Sequence, residues 1–167
     1  IGDIVVASDL YQHDMDARPL FNRHEIPLLG RSHFSSTETL RQRCLAAAKG
    51  FLVEDLPKVV SQQTLSQFGI RSPTVVQGAI ASGDKFFASR EESTELTARL
   101  PVACVEMEGA AVAQVCHEYG IEYAVIRTIS DAANTTAPID FAKFIQEIAS
   151  LYSYGIVKRL IMSTQVV

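Results

Sequence analysis

The sequence predicts an α/β fold in which helices cover a largely parallel, twisted sheet. Two observations carry that prediction. Short runs of β-branched and apolar residues alternate with segments of helical period along most of the chain. Strands separated by helices in this way tend to pair in parallel. Second, acidic groups fall where strand-like runs stop, at Asp84, Glu106, Glu108 and Asp131. Open α/β sheets place their ligands at the carboxyl ends of strands. At 167 residues the chain has the size of one domain, residues 1–167, and is long enough to bury a core.

Each element has a local reason. "IGDIVVAS" from Ile1 to Ser8 is β-branched and apolar, hence a strand. Residues 9–34 show no period and contain Pro19, Pro27 and Gly30. They read as a long irregular loop, and long loops inside a domain are commonly functional. Ser35 and Glu38 have capping-box spacing, and Leu40, Cys44, Leu45 and Ala48 follow at helical spacing, giving a helix that ends near Gly50. "FLVEDL", from Phe51, fits either a short strand or a continuation of that helix. "PTVVQGAIAS" is a strand, with Gly78 as a bulge or a point of close approach. Ser89 and Glu92 repeat the capping box and open a helix to about Arg99. "VACVEM" is a buried strand, residues 108–119 an Ala-rich helix stopped by Gly120, and "EYAVIRTIS" the next strand. Asp140 caps a long terminal helix whose packed face is Phe141, Phe144, Ile145, Ile148, Tyr152, Ile156 and Leu160.

Composition excludes several classes. The net charge is −4, the pI is about 5.5, and no basic run exceeds two residues. That argues against a nucleic-acid partner. No apolar run reaches the ~18–20 residues of a membrane span. Cys44, Cys104 and Cys116 are widely spaced among apolar neighbours; they read as reduced thiols of a cytoplasmic protein, not as a disulfide frame. The carboxylates have no His or Cys cluster beside them, so neither a metal nor an organic cofactor is expected. The chain opens with Ile1 directly in a core strand, so it is expected to be the C-terminal part of something longer.

Functional residues concentrate in three places. "ASGDKFF" supplies Asp84, Phe86 and Phe87; "VACVEMEG" supplies Glu106, Met107 and Glu108; "VIRTISD" supplies Arg127, Ser130 and Asp131. The whole stretch "VACVEMEGAAVAQVCHEYGIEYAVIRTISDAAN" resembles the signature region of the purine nucleoside phosphorylase and nucleosidase superfamily, most of all the bacterial 5′-methylthioadenosine/S-adenosylhomocysteine nucleosidases. "IGDIVVASD" followed by His13 and Asp14, "ASGDKFF" and "IDFAKFIQEIAS" agree in order and spacing, so the resemblance spans nearly the whole chain.

The resemblance implies a nucleoside phosphorylase-like, three-layer αβα fold, incomplete at its N-terminus. It implies hydrolysis of a purine nucleoside, with adenine as the leaving group. Asp131 would be the general acid that protonates the purine, with Ser130 orienting it; burial disfavours ionisation of a carboxyl, which suits an acid working near neutral pH. Glu108 would accept from the ribose hydroxyls and Met107 would pack on the sugar. Phe86 would stack on the purine and Phe87 would offer its backbone to the base edge. Glu106 and Arg127 would pair and brace the sugar site. The early loop around Met15–Phe21 would sit at a homodimer interface, and His13 with Asp14 would make a structural hydrogen bond. The family's water-activating glutamate precedes "GDIVV" and has no counterpart in this sequence. Two alternatives therefore stand beside the nucleosidase: a purine nucleoside phosphorylase, and a nucleoside-binding protein without turnover.

Overall fold

The computed structural model describes residues 1–132 and 137–163. Its elements are β1 (Ile4–Gln12), β2 (Phe34–Ser35), α1 (Glu38–Gly50), α2 (Leu56–Val59), α3 (Gln62–Gln67), β3 (Val75–Ser82), α4 (Arg90–Thr97), β4 (Val102–Glu106), α5 (Gly109–Glu118), β5 (Ile126–Thr128), α6 (Ala137–Phe144) and α7 (Ser150–Met162). π-helical turns at Phe51–Asp55 and Ile145–Ala149 join α1 to α2 and α6 to α7. The sheet is mixed. Its three longer strands, β1, β3 and β4, pair in parallel, while short β2 and β5 pair antiparallel with β1.

Alternation along β1 sends side chains to two separate cores. Ile4 joins Phe51, Phe144, Ile148, Tyr152 and Ile156 beneath α1 and α7. Val5, Ala7 and Leu10 meet Ile80, Phe34 and the small residues Ala110 and Ala113 of α5. Helices thus cover both sheet faces, which gives the three layers. No helix among the described residues is long and apolar enough to cross a membrane.

Four boundaries differ from the sequence reading. β1 does not stop at Ser8. After a register shift between Ala7 and Leu10 it pairs again with β3, as far as Gln12 opposite Ser82, so Ser8, Asp9 and Gln12 are carried by the ladder around the buried Leu10. α1 starts after Thr37, and the Ser35 hydroxyl bonds to Asp9 Oδ1 at 2.7 Å instead of capping the helix. The helix does not end at Gly50 either: Gly50 keeps right-handed helical angles, and Phe51 is drawn into the core against Tyr152, so "FLVEDL" continues the helix through a π turn. Asp140 lies within the first turn of α6, not at its cap. The Ser89 cap holds, its hydroxyl accepting from Glu92 N–H at 3.2 Å, and Gly120 closes α5 with a left-handed φ of 64°.

Candidate active site

The site begins at the ends of β3 and β4, which run side by side with Ser82 opposite Glu106. β5 runs the other way along β1. Its end is prolonged by backbone bonds between residues 2–3 and Ile129, at 2.8 Å each. Ser130 and Asp131 follow. The three polar clusters therefore do not share one sheet edge, as a wholly parallel sheet would have required. They line one cavity all the same, bordered by both residues 102–108 and residues 127–132. Its volume is about 680 Å³, within the range of small-molecule sites. Of the nine residues singled out from the sequence, eight line it, Phe86, Phe87, Glu106, Met107, Glu108, Arg127, Ser130 and Asp131, while Asp84 does not.

Arg127 joins two of the lining segments. Its Nε donates to Glu106 Oε2 at 2.8 Å, its Nη2 bonds the same oxygen, and Nη2 also reaches Glu108 Oε2 at 3.1 Å. The two glutamates differ sharply in environment. The Glu106 side chain is 10% exposed, that of Glu108 70%. Every lone-pair direction of Glu106 is used: it accepts from the Ser82 hydroxyl, from Glu108 N–H at 3.1 Å and from Gly109 N–H at 2.9 Å, in addition to Arg127. These amides belong to the first turn of α5, whose orphan donors favour an anion. Burial alone would push the Glu106 carboxyl up; the Ser82 and Arg127 hydrogen bonds more than offset this and hold it below its ordinary 4.5. The Ser130 hydroxyl donates to Asp131 Oδ2 at 2.8 Å, and Asp131 is half-buried.

The apolar part of the wall is aromatic. Phe86 meets Phe141 of α6 edge-on, with centroids 5.9 Å apart, and Ile145 adds a branched side chain. Phe141 and Ile145, expected on the packed face of the terminal helix, are half-exposed and line the cavity instead. Phe87 lies edge-on to His13, centroids 5.3 Å apart. His13 is buried, which pushes its imidazole below the ordinary 6.5. Neighbouring Asp14 accepts from Asp84 N–H at 2.9 Å and so fixes the turn that carries the two phenylalanines.

Sequence reasoning missed Asp3, Lys85, Phe141 and Ile145 as cavity residues. The apolar face of the terminal helix held a signal. Phe144, Ile148, Tyr152 and Ile156 form one stripe, and Phe141 and Ile145 start a second beside it, so the face is wide enough to serve two surfaces. Lys85 at the rim is engaged by Glu92 at 2.6 Å. Burial pushes the Cys104 thiol up to about 12, so it is a packing residue of the wall rather than a nucleophile. Among the described residues no cluster of three His, Cys, Asp or Glu side chains is placed to hold a metal. A second groove, of about 770 Å³, runs between α1 and α7; its one acidic lining residue, Asp55, is held by Arg159. Among the described residues no second carboxylate lines it, unlike the first cavity.

The fold and the cavity together define an α/β protein with a pocket of small-molecule size lined by carboxylates and aromatic rings. The chain belongs to the phosphorylase superfamily, whose family model matches residues 1–162. It is similar to the 5′-methylthioadenosine/S-adenosylhomocysteine nucleosidase of Shewanella denitrificans, 33% identical over 87% of this chain and 55% of that protein. Among solved structures it resembles the corresponding nucleosidase of Neisseria meningitidis in complex with methylthio-immucillin-A (TM-score 0.78, 30% identity, 98% of this chain and 62% of that one). It also resembles futalosine hydrolase of Helicobacter pylori (TM-score 0.74, 31% identity, 98% and 61%). The chain thus spans about half the length of the curated relatives it matches.

Proposed function

We propose that the protein hydrolyses the N-glycosidic bond of 5′-methylthioadenosine and S-adenosylhomocysteine, releasing adenine. The observation that supports this most is that Asp131 with Ser130 and Glu108 with Met107 line one cavity together with Phe86 and Phe87, with Arg127 bonded to Glu108. Glycosidic cleavage leaves negative charge on the departing purine and positive charge on the sugar. Asp131 donates its proton to the purine ring, and the Ser130 hydroxyl fixes which carboxyl oxygen faces the cavity. Glu108 accepts from the sugar hydroxyls, and its negative charge opposes the positive charge that grows on the ring. Phe86 covers the purine face, Phe87 presents backbone to the base edge, and Met107 packs on the sugar. Glu106 and Arg127 hold this arrangement from behind.

The relatives' names support hydrolysis rather than phosphorolysis. So does the disposition of charge: Lys85 and Arg127, the cations lining the cavity among the described residues, are already engaged by Glu92 and by Glu106 and Glu108. In phosphate-free buffer the protein should release adenine from 5′-methylthioadenosine, followed by chromatography. Turnover only on adding phosphate would make it a phosphorylase, and binding without turnover a nucleoside-binding protein.

The reading extends to a homodimer. Residues 13–33 form the irregular loop. Leu20 on it is 83% exposed, and half-exposed Val112 and Val115 of α5 lie on an element that Gln114 ties to Gln12 at the loop's base. Sedimentation velocity should give twice the chain mass, and Leu20→Asp should shift it toward the monomer.

A further inference from the structure

Ser82, the last residue of β3, is buried and lies outside the cavity lining. Its hydroxyl donates to Glu106 Oε1 and accepts from Ala110 N–H at 2.7 Å. One side chain thus joins the end of β3, the end of β4 and the first turn of α5. The tie continues through Glu106. With Oε1 held by Ser82 and Gly109, Oε2 turns to Arg127 and takes both its Nε and its Nη2. Arg127 is left with only the 3.1 Å contact of Nη2 to Glu108 Oε2. Among the described residues, Glu108 Oε1 makes no hydrogen bond.

We infer that Ser82 is a positioning residue that sets how Arg127 is divided between the two glutamates and so keeps Glu108 available to the vicinal diol of a ribose. The inference rests on the nucleoside reading above. A guanidinium pairs best through two nitrogens on one carboxylate. At present Glu106 takes two of those nitrogens, Nε and Nη2, on the one oxygen Oε2, because Ser82 occupies Oε1 and fixes its orientation. Without the hydroxyl, Oε1 loses its side-chain donor and the Ala110 amide its acceptor. The Glu106 carboxylate then turns toward the helix amides, and Arg127 moves onto Glu108, which is closed to the sugar.

The test compares two ligands: a non-hydrolysable C-nucleoside analogue of adenosine and its 2′,3′-dideoxy counterpart, titrated calorimetrically into the protein and its variants. Wild type should prefer the diol by about tenfold or more, the range of a hydrogen bond to a charged acceptor. Ser82→Ala should lose most of that preference while holding the dideoxy ligand within about twofold of wild type. Ser82→Cys, nearly isosteric but a weak donor, should fall between and serves if the alanine variant does not fold. A variant that melts earlier but keeps the wild-type preference makes Ser82 structural only and overturns the inference. Failure of wild type to bind either ligand overturns the nucleoside reading itself and the inference with it.

Discussion

Replacing Glu106 by Gln keeps the shape of the side chain and removes its charge, so it isolates what the buried carboxylate does. The amide still accepts through one oxygen. If that oxygen stays with Arg127 and the helix amides, the new NH2 faces the Ser82 hydroxyl, which already accepts from Ala110. The Ser82 hydrogen then has no acceptor, and a stranded buried donor costs about 1–3 kcal/mol. Loss of charge assistance to Arg127 adds about 0.5 kcal/mol, since that side chain is 35% exposed and water makes up part of the loss. Loss of the anion at the start of α5 adds roughly 0.3–1 kcal/mol. The total is about 2–4 kcal/mol, or roughly 5–15 °C in Tm for a chain of this size. Urea denaturation followed by circular dichroism measures it. The acid limb gives a second check. The folded-state pKa of Glu106 is lowered, so its contribution is fully present above the ordinary 4.5 and is lost as pH falls through the folded value. The stability curves of wild type and of the Glu106→Gln variant should therefore converge as the pH drops below 4.5. A loss under about 0.5 kcal/mol at neutral pH, the level of an ordinary surface substitution, would refute the claim that this carboxylate is saturated by protein donors.

Three further outcomes follow from the same geometry. Asp131→Asn should abolish adenine release while binding of a substrate analogue stays within about tenfold, ~1.4 kcal/mol; near wild-type turnover would remove Asp131 as the acid. Gly155→Ala puts a methyl group into the ring of fully buried Phe51. Overpacking of about 1–3 kcal/mol should exceed the ~1 kcal/mol gained in helix propensity, so a thermal melt should shift down, and a rise would show that the ring yields. Tyr152→Phe removes a buried hydroxyl that has no partner among the described residues; stability should hold or rise by up to ~1 kcal/mol, and a clear loss by urea titration would reveal a partner for it.

Much of this fold is legible because its strands and helices keep clean periods. Val75–Ser82, Gln77 apart, and Val102–Glu106 are β-branched or small up to the polar residues that end them, so neither competes with a helix. The errors sit where a tertiary partner overrode a local signal. Ser35 has the residue type of a cap, yet its hydroxyl finds Asp9, 26 residues away. Gly50 has the residue type of a stop, yet the pull of Phe51 into the core keeps the helix going. β5 reads as an ordinary strand, but its direction depends on its pairing with β1, which no local pattern records. The site was more legible than the sheet because its residues sit in short contiguous segments. A shared cavity needs only that those segments converge, and reversal of one strand did not prevent it.

Residue type also does not decide what a carboxylate does; its neighbours do. Glu106 and Glu108 are two residues apart and share Arg127, yet only one is free to meet a ligand. Glu106 lies under the first turn of α5, where the Ser82 hydroxyl and two helix amides consume its oxygens. A carboxylate so used cannot give up an acceptor without stranding a buried donor. Glu108, at the helix start and largely exposed, meets the protein through one oxygen at 3.1 Å. Asp131 is half-buried beside the Ser130 hydroxyl and lines the same cavity. A chain that held all three in one environment would have three anions repelling one another around a small space. One carboxylate is saturated by protein donors, one is open and the third sits beside its own hydroxyl, so a single arginine balances the first two within one cavity lining.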